Sequence, residues 1–381
     1  MKKLAILLLS PLLAACAAVP VMERSDQLFQ DVLFAAPSEH ISAADVFSLS
    51  DAMKNYLHVE IAEQLRTKGP QQGLIDALYS KNQLKVDYDS AQTRNAAQTF
   101  ADRAGNCLSL VIMTSAFAKE LGLPVRYQSV FVDESWSRAG GLYFSAGHVN
   151  LTVGKRYHDF KTRVDDNVMI TIDFNPPQEN RSHHTWAITE ATVLAMYMNN
   201  RGAEALARGQ LDNAYWWARE AILQEPTFPS AYNTLGVIYR RHGNLVEAEN
   251  VFRRALVREP LNLQAMSNLA MVLNDQGRFA ESTAITVQLE SRQPYPPFYF
   301  FNLGQTAMQA GDFKAARDMF AKEVDRDAYN HEFHFWLASA YYRLGDVNQT
   351  RKHLAIAMDY SPTRKHHDLY AAKLDRMRAY Q

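Results

Sequence analysis

Cys16 and Cys107 carry the most distinctive chemistry in this 381-residue sequence, and they are its only two cysteines. Two cysteines cannot form a disulfide framework, and no Cys-x-x-Cys pair for a metal is present. Cys107 opens an apolar segment that ends at Gly122, which is typical of a buried helix. At the first turn of such a helix, free backbone N–H groups and the helix dipole stabilise a thiolate. The segment therefore predicts a nucleophilic thiol at Cys107.

Two later residues are suited to activating and orienting this thiol. His148 lies in a predicted strand, and Asp173 lies near the end of another. A neighbouring imidazole can take the proton of a thiol, and a carboxylate can hold that imidazole in place. The order Cys107, His148, Asp173 therefore indicates nucleophilic chemistry, provided that the fold brings the three side chains together.

The elements that must position these side chains are predicted from apolar patterning and turn residues. Asp89 and Ser90 are candidate caps of a helix that runs to about Arg103. Gly154-Lys155 is a candidate hairpin turn. The other predicted elements are helices over 50–65, 69–78 and 107–122 and strands over 125–132, 147–153 and 169–174.

This order of residues and elements resembles the transglutaminase-like superfamily, which has a papain-like cysteine fold. The resemblance covers roughly residues 85–178 and is strongest around Cys107. It implies an α+β domain over 50–190, in which a cysteine-bearing helix packs on an antiparallel sheet. The segments that carry it are 103–109, 122–127, 147–149 and 172–176.

The resemblance also implies a role for each residue. Cys107 would be the nucleophile, His148 the general base and then the acid, and Asp173 the residue that holds the imidazole. The thiol would attack an amide carbonyl and form a thioester, which passes its acyl group to water or to an amine. Backbone N–H groups at the helix start would contribute to an oxyanion hole, and Gln98 is a candidate for its side chain.

A second aspartate is an alternative third member of the site. The gap between His148 and Asp173 is longer than is usual in the superfamily. A hairpin at Gly154-Lys155 would instead place Asp159 on the same face as His148, as a diagonal cross-strand neighbour. We favour Asp173 because the run Asp-Phe-Asn-Pro that it begins resembles the strand end of the family.

The C-terminal half of the sequence repeats with a period of 34 residues. Small residues and, in four of five places, prolines recur with the same step at other positions, and the pattern resembles the tetratricopeptide repeat, which has two antiparallel helices per unit. We predict five repeats over 193–362 and a capping helix over 363–381. The third unit is weaker, with Ser282 and Thr286 where Ala and an aromatic residue are usual, and the first unit is weaker too, with Ala218 at the aromatic position. The glycines in register are Gly209, Gly243, Gly277, Gly311 and Gly345.

Repeats of this kind bind peptides or proteins on the concave face that the first helices form. The later part of this face is rich in aromatic residues, which favours an apolar protein segment as the partner. The alternative is that some of these aromatic residues are ordinary core between helices. The residues predicted to contact the partner are Asn233, Arg240, Asn274, Phe298, Phe301, Phe335 and Tyr342.

The N-terminus has the pattern of a targeting segment. Lys2 and Lys3 precede an apolar run that is too short to span a bilayer. Leu13-Ala14-Ala15-Cys16 resembles a bacterial lipobox, so we expect lipid on Cys16, although an ordinary secretory signal is the alternative. Ala17 favours an outer-membrane anchor that faces the periplasm. The predicted divisions are a signal peptide over 1–15 and a lipidated segment over 16–49.

Composition limits the remaining function classes. There are 40 basic and 41 acidic residues, so nothing favours a nucleic-acid partner, and we expect no cofactor and no metal. Two hypotheses remain. The first is an envelope enzyme that cleaves or transfers at an amide of a peptide or protein, with the repeats recruiting the substrate or a partner. The second is a scaffold whose repeats assemble an envelope complex around an inactive cysteine domain.

Overall fold

The computed structural model describes residues 25–79, 84, 86–140, 142–155, 169–174 and 184–379. An α+β region runs to residue 188, and a series of helices follows it. This arrangement confirms the predicted fold class. The helices of the α+β region are α1 (Asp51–Asn55), a π-helical turn (Tyr56–Glu60), α2 (Ala62–Lys68), α3 (Pro70–Tyr79), α4 (Ala96–Asp102) and α5 (Cys107–Glu120). Its strands are β1 (Asp87–Tyr88), β2 (Ala104–Gly105), β3 (Val125–Ala139), β4 (Leu142–Val153), β5 (Ile170–Ile172) and β6 (Thr185–Ile188).

The main sheet is antiparallel and has the strand order β5-β4-β3-β6. Helix α5 packs against β4. Every residue of α5 from Leu108 to Ala118 is buried, because the helix is apolar on all sides. Val149, Leu151 and Val153 of β4 are buried, and so are His148, Asn150 and Thr152, so both faces of this strand are covered. The cysteine-bearing helix therefore lies on the sheet that carries His148.

The hairpin between β3 and β4 extends well beyond the predicted strands. We call its outer part, residues 135–146, the arm. The register shifts between Val130, which pairs with His148, and Ser135, which pairs with Ala146. Residues 131–134 thus lie opposite Gly147 alone, and such a bulge bends the hairpin. The arm leaves the sheet at the residue next to His148.

Two predicted helix starts differ from the observed ones. The helix predicted to start at Asp89 and Ser90 begins at Ala96, where Asn95 and Gln98 form a capping box. The helix predicted over 50–65 begins after Ser50, whose side chain accepts from the Met53 N–H, and is interrupted by the π-helical turn. Local capping therefore sets both starts.

Five antiparallel helix pairs and one last helix form the solenoid. Its helices are α6 (Glu190–Ala207), α7 (Leu211–Gln224), α8 (Pro229–His242), α9 (Leu245–Arg258), α10 (Leu263–Asp275), α11 (Phe279–Arg292), α12 (Tyr299–Ala310), α13 (Phe313–Arg326), α14 (His331–Arg343), α15 (Val347–Asp359) and α16 (Arg364–Ala379). The periodic glycines follow the first helix of each pair, and all have φ between 77° and 91°. A side chain there would be strained, which explains why glycine recurs.

The solenoid is divided between its third and fourth pairs. Helix α11 has no buried residue and makes almost no contact with α12. Leu303 of α12 is 44% exposed, although it lies where a preceding repeat would cover it. Pro294, Pro296 and Pro297 stand in the connection, which ends at Phe298 with φ of 63°. We call residues 190–292 the first block and residues 298–379 the second block.

The two blocks differ in how they join the α+β region. The first block shares one continuous apolar core with it, whereas the second block has a separate core. The segment before α1 also covers the first block. Phe34 stacks on Tyr215 with ring centroids 4.0 Å apart, and the Tyr215 hydroxyl donates to Asp31 at 2.6 Å. No helix among residues 25–379 that the structure describes is both long and apolar enough to cross a membrane.

Candidate active site

The local sequence fixes Cys107 at the first position of α5. The Asn106 side chain accepts from the backbone N–H and the hydroxyl of Ser109, both at 2.9 Å, and so caps the helix. A Cβ atom on Gly105 would lie 2.8 Å from Ser109 Cβ, so only glycine fits before the cap. Cys107 is a free, partly buried thiol. Its sulfur therefore stands at the end of the helix where free N–H groups gather.

His148 and Asp173 are in direct contact. His148 Nε2 lies 2.8 Å from Asp173 Oδ1, and His148 is only 8% exposed. Asn150 Nδ2 donates to the other oxygen, Asp173 Oδ2, at 3.1 Å. His148 and Asn150 are two residues apart on β4 and share a face, so both reach the same carboxylate. Sequence reasoning missed Asn150, although its spacing from His148 is the signal that could have revealed it.

The sheet register explains why Asp173 reaches the histidine. Leu151 of β4 pairs with Ile172 of β5, so the next residue, Asp173, comes level with Asn150. Tyr79 supports this strand end, since its hydroxyl donates to the Asp173 carbonyl at 3.3 Å. The alternative third member, Asp159, lies outside the described residues, as does Cys16.

The electrostatics link all three predicted residues. Burial lowers the pKa of His148, but hydrogen bonds to Asp173 and to Cys107, together with their negative charges, outweigh burial and raise it to about 9. The imidazole is therefore protonated at neutral pH beside the sulfur. An imidazolium in this position stabilises a thiolate.

Tyr88 is a further neighbour of the thiol that sequence reasoning missed. Strand β1 runs parallel to β2 and pairs Tyr88 with Gly105, two residues before Cys107. Partial burial of its phenol and then the charge of Cys107 raise the pKa of Tyr88. Gln98, the candidate oxyanion side chain, has another role, because its Oε1 accepts from the Asn95 N–H at 3.1 Å in the cap of α4.

Phe298 and Phe301 are not on an open groove. They are 1% and 0% exposed, so the prediction that they contact a partner directly is wrong for the conformation seen here. They pack against Phe333 in the core of the second block, and the arm covers them from the other side. The alternative interpretation, core between helices, describes these two residues better.

The other predicted contact residues of the repeats differ in their exposure and in their contacts. Phe335 is partly covered, since its ring stacks on Tyr370 of α16 at 5.3 Å. Asn274 is exposed, and Tyr342 is 64% exposed. Asn233 and Arg240 are engaged on neighbouring helices, with Asn268 Nδ2 donating to Asn233 at 2.7 Å and Arg240 Nε donating to Asp275 at 2.6 Å.

No cluster suited to a metal ion occurs in the part of the chain that the structure describes, where no three His, Cys, Asp or Glu side chains come together in this way. The side chains that the site brings together are a thiol, an imidazole and a carboxylate. Their arrangement suits attack of sulfur on a carbonyl carbon, with the imidazolium close enough to deliver a proton.

Comparison with protein families agrees with this architecture. The profile of the transglutaminase-like superfamily matches residues 59–188, and a tetratricopeptide repeat profile matches 233–285 and 301–348. The gap between the two repeat matches contains the division between the blocks. No curated protein matches the chain.

Solved structures similar to the chain include three bacterial proteins. MamA from Desulfovibrio magneticus RS-1 is 18% identical over 47% of this chain and 99% of its own, with a TM-score of 0.27. PilF of Pseudomonas aeruginosa is 19% identical over 48% and 91%, with a TM-score of 0.27. A thermophilic tetratricopeptide protein of Thermus thermophilus is 18% identical over 47% and 98%, with a TM-score of 0.29. Scores this low say nothing about function.

The family profiles and the fold lead to the same result. The Cys107 helix on an antiparallel sheet falls within the first match, and helices α8 to α10 and α12 to α14 lie mostly within the second. The chain contains a transglutaminase-like domain followed by tetratricopeptide repeats.

Proposed function

We propose that the protein is a thiol-dependent hydrolase or acyltransferase that acts at an amide of a peptide or protein. The observation that carries the proposal is that His148 contacts Asp173 at 2.8 Å and also interacts with Cys107. A histidine between a carboxylate and a thiol at a helix start has the geometry that nucleophilic catalysis requires. The repeats supply an interaction module for the substrate or a partner.

The reaction begins with attack of the Cys107 thiolate on the amide carbonyl carbon. A carbon–sulfur bond forms, and the carbonyl oxygen becomes an oxyanion, which the backbone N–H groups at the start of α5 are placed to stabilise. The His148 imidazolium gives its proton to the amide nitrogen. The carbon–nitrogen bond then breaks, and the amine leaves a thioester on Cys107.

The second half returns the enzyme to its starting state. Neutral His148 takes a proton from water or from an acceptor amine, which attacks the thioester carbon. The carbon–sulfur bond breaks and the thiolate reforms beside the imidazolium. Asp173, held by Asn150, keeps the imidazole in one orientation through both steps.

Turnover is tested by comparing the wild-type protein with Cys107→Ala on a protein extract of the bacterial envelope. Mass spectrometry would detect new N-termini if the acceptor is water, and would detect incorporation of an added primary amine if the acceptor is an amine. We expect one of these products with the wild type only. If neither product depends on Cys107, the enzymatic proposal fails and the scaffold becomes the better interpretation.

We also propose that lipid on Cys16 anchors the protein to the outer membrane, facing the periplasm. The support is the sequence 1–17, with its two lysines, its apolar run and its lipobox-like end. The test is fractionation of cells that express the wild type or Cys16→Ser. Release of Cys16→Ser from membranes supports the anchor, and continued association with membranes refutes it.

A further inference from the structure

The arm lies against the second block of the solenoid through an arginine. Arg138 Nη2 donates to Glu332 Oε1 at 2.7 Å, and Arg138 Nε lies 3.2 and 3.3 Å from the two carboxylate oxygens. The guanidinium carbon also lies 4.5 Å from the Phe301 ring centroid and 5.3 Å from that of Phe298. The Arg138 side chain is mostly buried, with 29% of it exposed. The contact therefore combines an ion pair with stacking on two rings.

The same surface of the second block also binds the main chain of the arm. Asn330 Nδ2 donates to the carbonyl oxygen of Trp136 at 3.0 Å, and the Tyr143 ring packs on Phe298 with centroids 5.2 Å apart. An amide that binds a main-chain carbonyl and a carboxylate that binds an arginine two residues later are features of peptide recognition. We call this surface, formed by Phe298, Phe301, Asn330 and Glu332, the arm site.

The arm does not fill its site. A cavity of about 310 Å³ remains beside Trp136 and is lined by Phe298, Phe333 and the charged side chains Glu323, Arg326 and Asp327, among others. The arm tip is held separately, because Arg241 of the first block donates to the Gly140 carbonyl at 2.8 Å. The arm is thus held closely at its tip, where a Cβ on Gly140 would lie 2.4 Å from the Ala207 carbonyl oxygen, and has open space beside Trp136, where a competing segment could enter.

We propose that the arm is an intramolecular ligand of the solenoid, and that a protein segment with an aromatic residue and an arginine two positions later competes with it for the arm site. The arm itself defines this chemistry, since Trp136 and Arg138 have that spacing. Glu332, which Arg138 of the arm contacts, favours a basic residue at that position, whereas Glu323 is already paired with Arg326.

Displacement of the arm would reach the candidate active site. The arm begins at the bulge opposite Gly147, so it continues directly into the strand that carries His148. The second block also touches the other side of the site, where the N–H and hydroxyl of Ser90 donate to the Pro362 carbonyl at 3.0 and 3.2 Å. Ser90 follows Asp89, whose N–H donates to the Gly105 carbonyl oxygen at 3.0 Å. Gly105 is two residues before Cys107. The inference that displacement of the arm affects the candidate active site rests on the proposed function.

Binding to the arm site is tested with a fluorescein-labelled peptide that has the sequence of residues 133–145. In full-length protein, Arg138→Ala weakens the bound arm and should let the peptide bind about tenfold more tightly than it binds the wild type. Glu332→Arg, added to Arg138→Ala, should abolish binding. The exposed Arg364 offers a control, since Arg364→Ala removes the same charge from a side chain that is 91% exposed and pairs with Asp368 of its own helix. The proposal would be overturned if the peptide bound the wild type and Arg138→Ala with equal affinity, or if adding Glu332→Arg to Arg138→Ala left the affinity unchanged.

Coupling to the site is tested with the rate at which iodoacetamide alkylates Cys107, measured against pH in the Cys16→Ser background. Arg138→Glu should shift the midpoint of this profile, and the charge swap Arg138→Glu with Glu332→Arg should restore it. A wild-type profile for Arg138→Glu would show that the arm does not act on the site. The peptide measurement needs no thiol and can be repeated in Cys107→Ala, so it stands or falls independently of the enzymatic proposal.

Discussion

The two blocks of the solenoid use the same repeat in different ways. The first block merges with the transglutaminase-like domain in one apolar core, and the segment before α1 lies over it. The second block has its own core and meets the domain through an ion pair, stacked rings and a few hydrogen bonds. Burial of a shared core makes a permanent junction, whereas a small interface between separate cores forms and breaks more readily. The first block is therefore structural, and the second is suited to movement.

The largest expected effects come from buried aromatic residues, one in each block. Tyr215→Ala and Phe320→Ala each remove a fully buried ring and should cost about 3–5 kcal/mol of unfolding free energy. Tyr215→Ala should also destabilise the transglutaminase-like domain, because the core is shared. Phe320→Ala should loosen the second block alone. Hydrogen exchange measured segment by segment distinguishes these outcomes, and equal loss of protection in both blocks after Phe320→Ala would break the comparison.

Substitution of two equivalent glycines tests the same difference with a smaller expected loss of unfolding free energy. A Cβ atom on Gly236 would lie 2.5 Å from the Phe252 ring, and one on Gly304 would lie 2.6 Å from the Phe320 ring. Both alanine substitutions overpack equivalent helix contacts, so each should cost about 1–3 kcal/mol. In urea, with hydrogen exchange measured segment by segment, Gly236→Ala should lower the protection of the first block and of the transglutaminase-like domain, whereas Gly304→Ala should lower it over the second block alone. A loss of protection over 190–292 for Gly304→Ala would mean that the blocks unfold as one.

A fall in pH should destabilise the second block before it destabilises the first. Burial and the charge of His366 lower the pKa of His331 to about 4, and burial, His334 and Lys352 lower that of His353 to about 4. His334 and His353 approach at 3.0 Å between their Nδ1 atoms, so one must stay neutral to accept. The unfolded chain binds more protons than the folded chain between pH 6.5 and 4, so stability falls as the pH drops through this window. Hydrogen exchange at pH 7 and pH 5 should show selective loss of protection over 298–379.

A histidine substitution provides the control for this acid effect. His353→Gln removes one proton-binding site while keeping a polar side chain, so the second block should lose less protection on acidification than in the wild type. If both blocks lose protection equally, or if His353→Gln leaves the acid response unchanged, the histidine pair does not account for it.

The smallest expected effect lies within the candidate site. Asn150→Ala removes one hydrogen bond to Asp173 and leaves the contact with His148. Such a bond contributes about 0.5–1.5 kcal/mol, so alkylation of Cys107 near neutral pH should slow by about two- to tenfold. Thr152→Ala on the same strand is the control and should leave the rate unchanged. A Cys107 alkylation rate that Asn150→Ala leaves unchanged would show that Asp173 does not need the hydrogen bond from Asn150.

The parts of the molecule that the sequence predicted are those set by local rules. The 34-residue period predicted the repeats because each Gly between the helices of a pair has a positive φ, and because small residues such as Gly236 and Gly304 lie against the rings of Phe252 and Phe320. Cys107 was found because a helix start is a local feature. Asp173 was favoured from its strand-end pattern, and the register of β5 brings it to His148.

The parts that the sequence did not predict depend on contacts between distant residues. Arg138 meets Glu332 across 194 positions, so nothing near Trp136 or Arg138 marks the arm as a ligand of the repeats. Phe298 and Phe301 have the helical spacing of groove residues, and only the arm and Phe333 reveal that they are buried. The weak third repeat, with Ser282 and Thr286, did give a local sign of the division between the blocks.

The central claim is that His148 activates Cys107, and the alkylation rate of Cys107 tests it most directly. In Cys16→Ser protein, Cys107 is the only thiol, so iodoacetamide consumption reports on it alone. We predict that Cys107 reacts faster than free cysteine at about pH 6 to 7 and that His148→Ala slows the reaction. A Cys107 that alkylates no faster than free cysteine, at a rate that His148→Ala leaves unchanged, would contradict the claim.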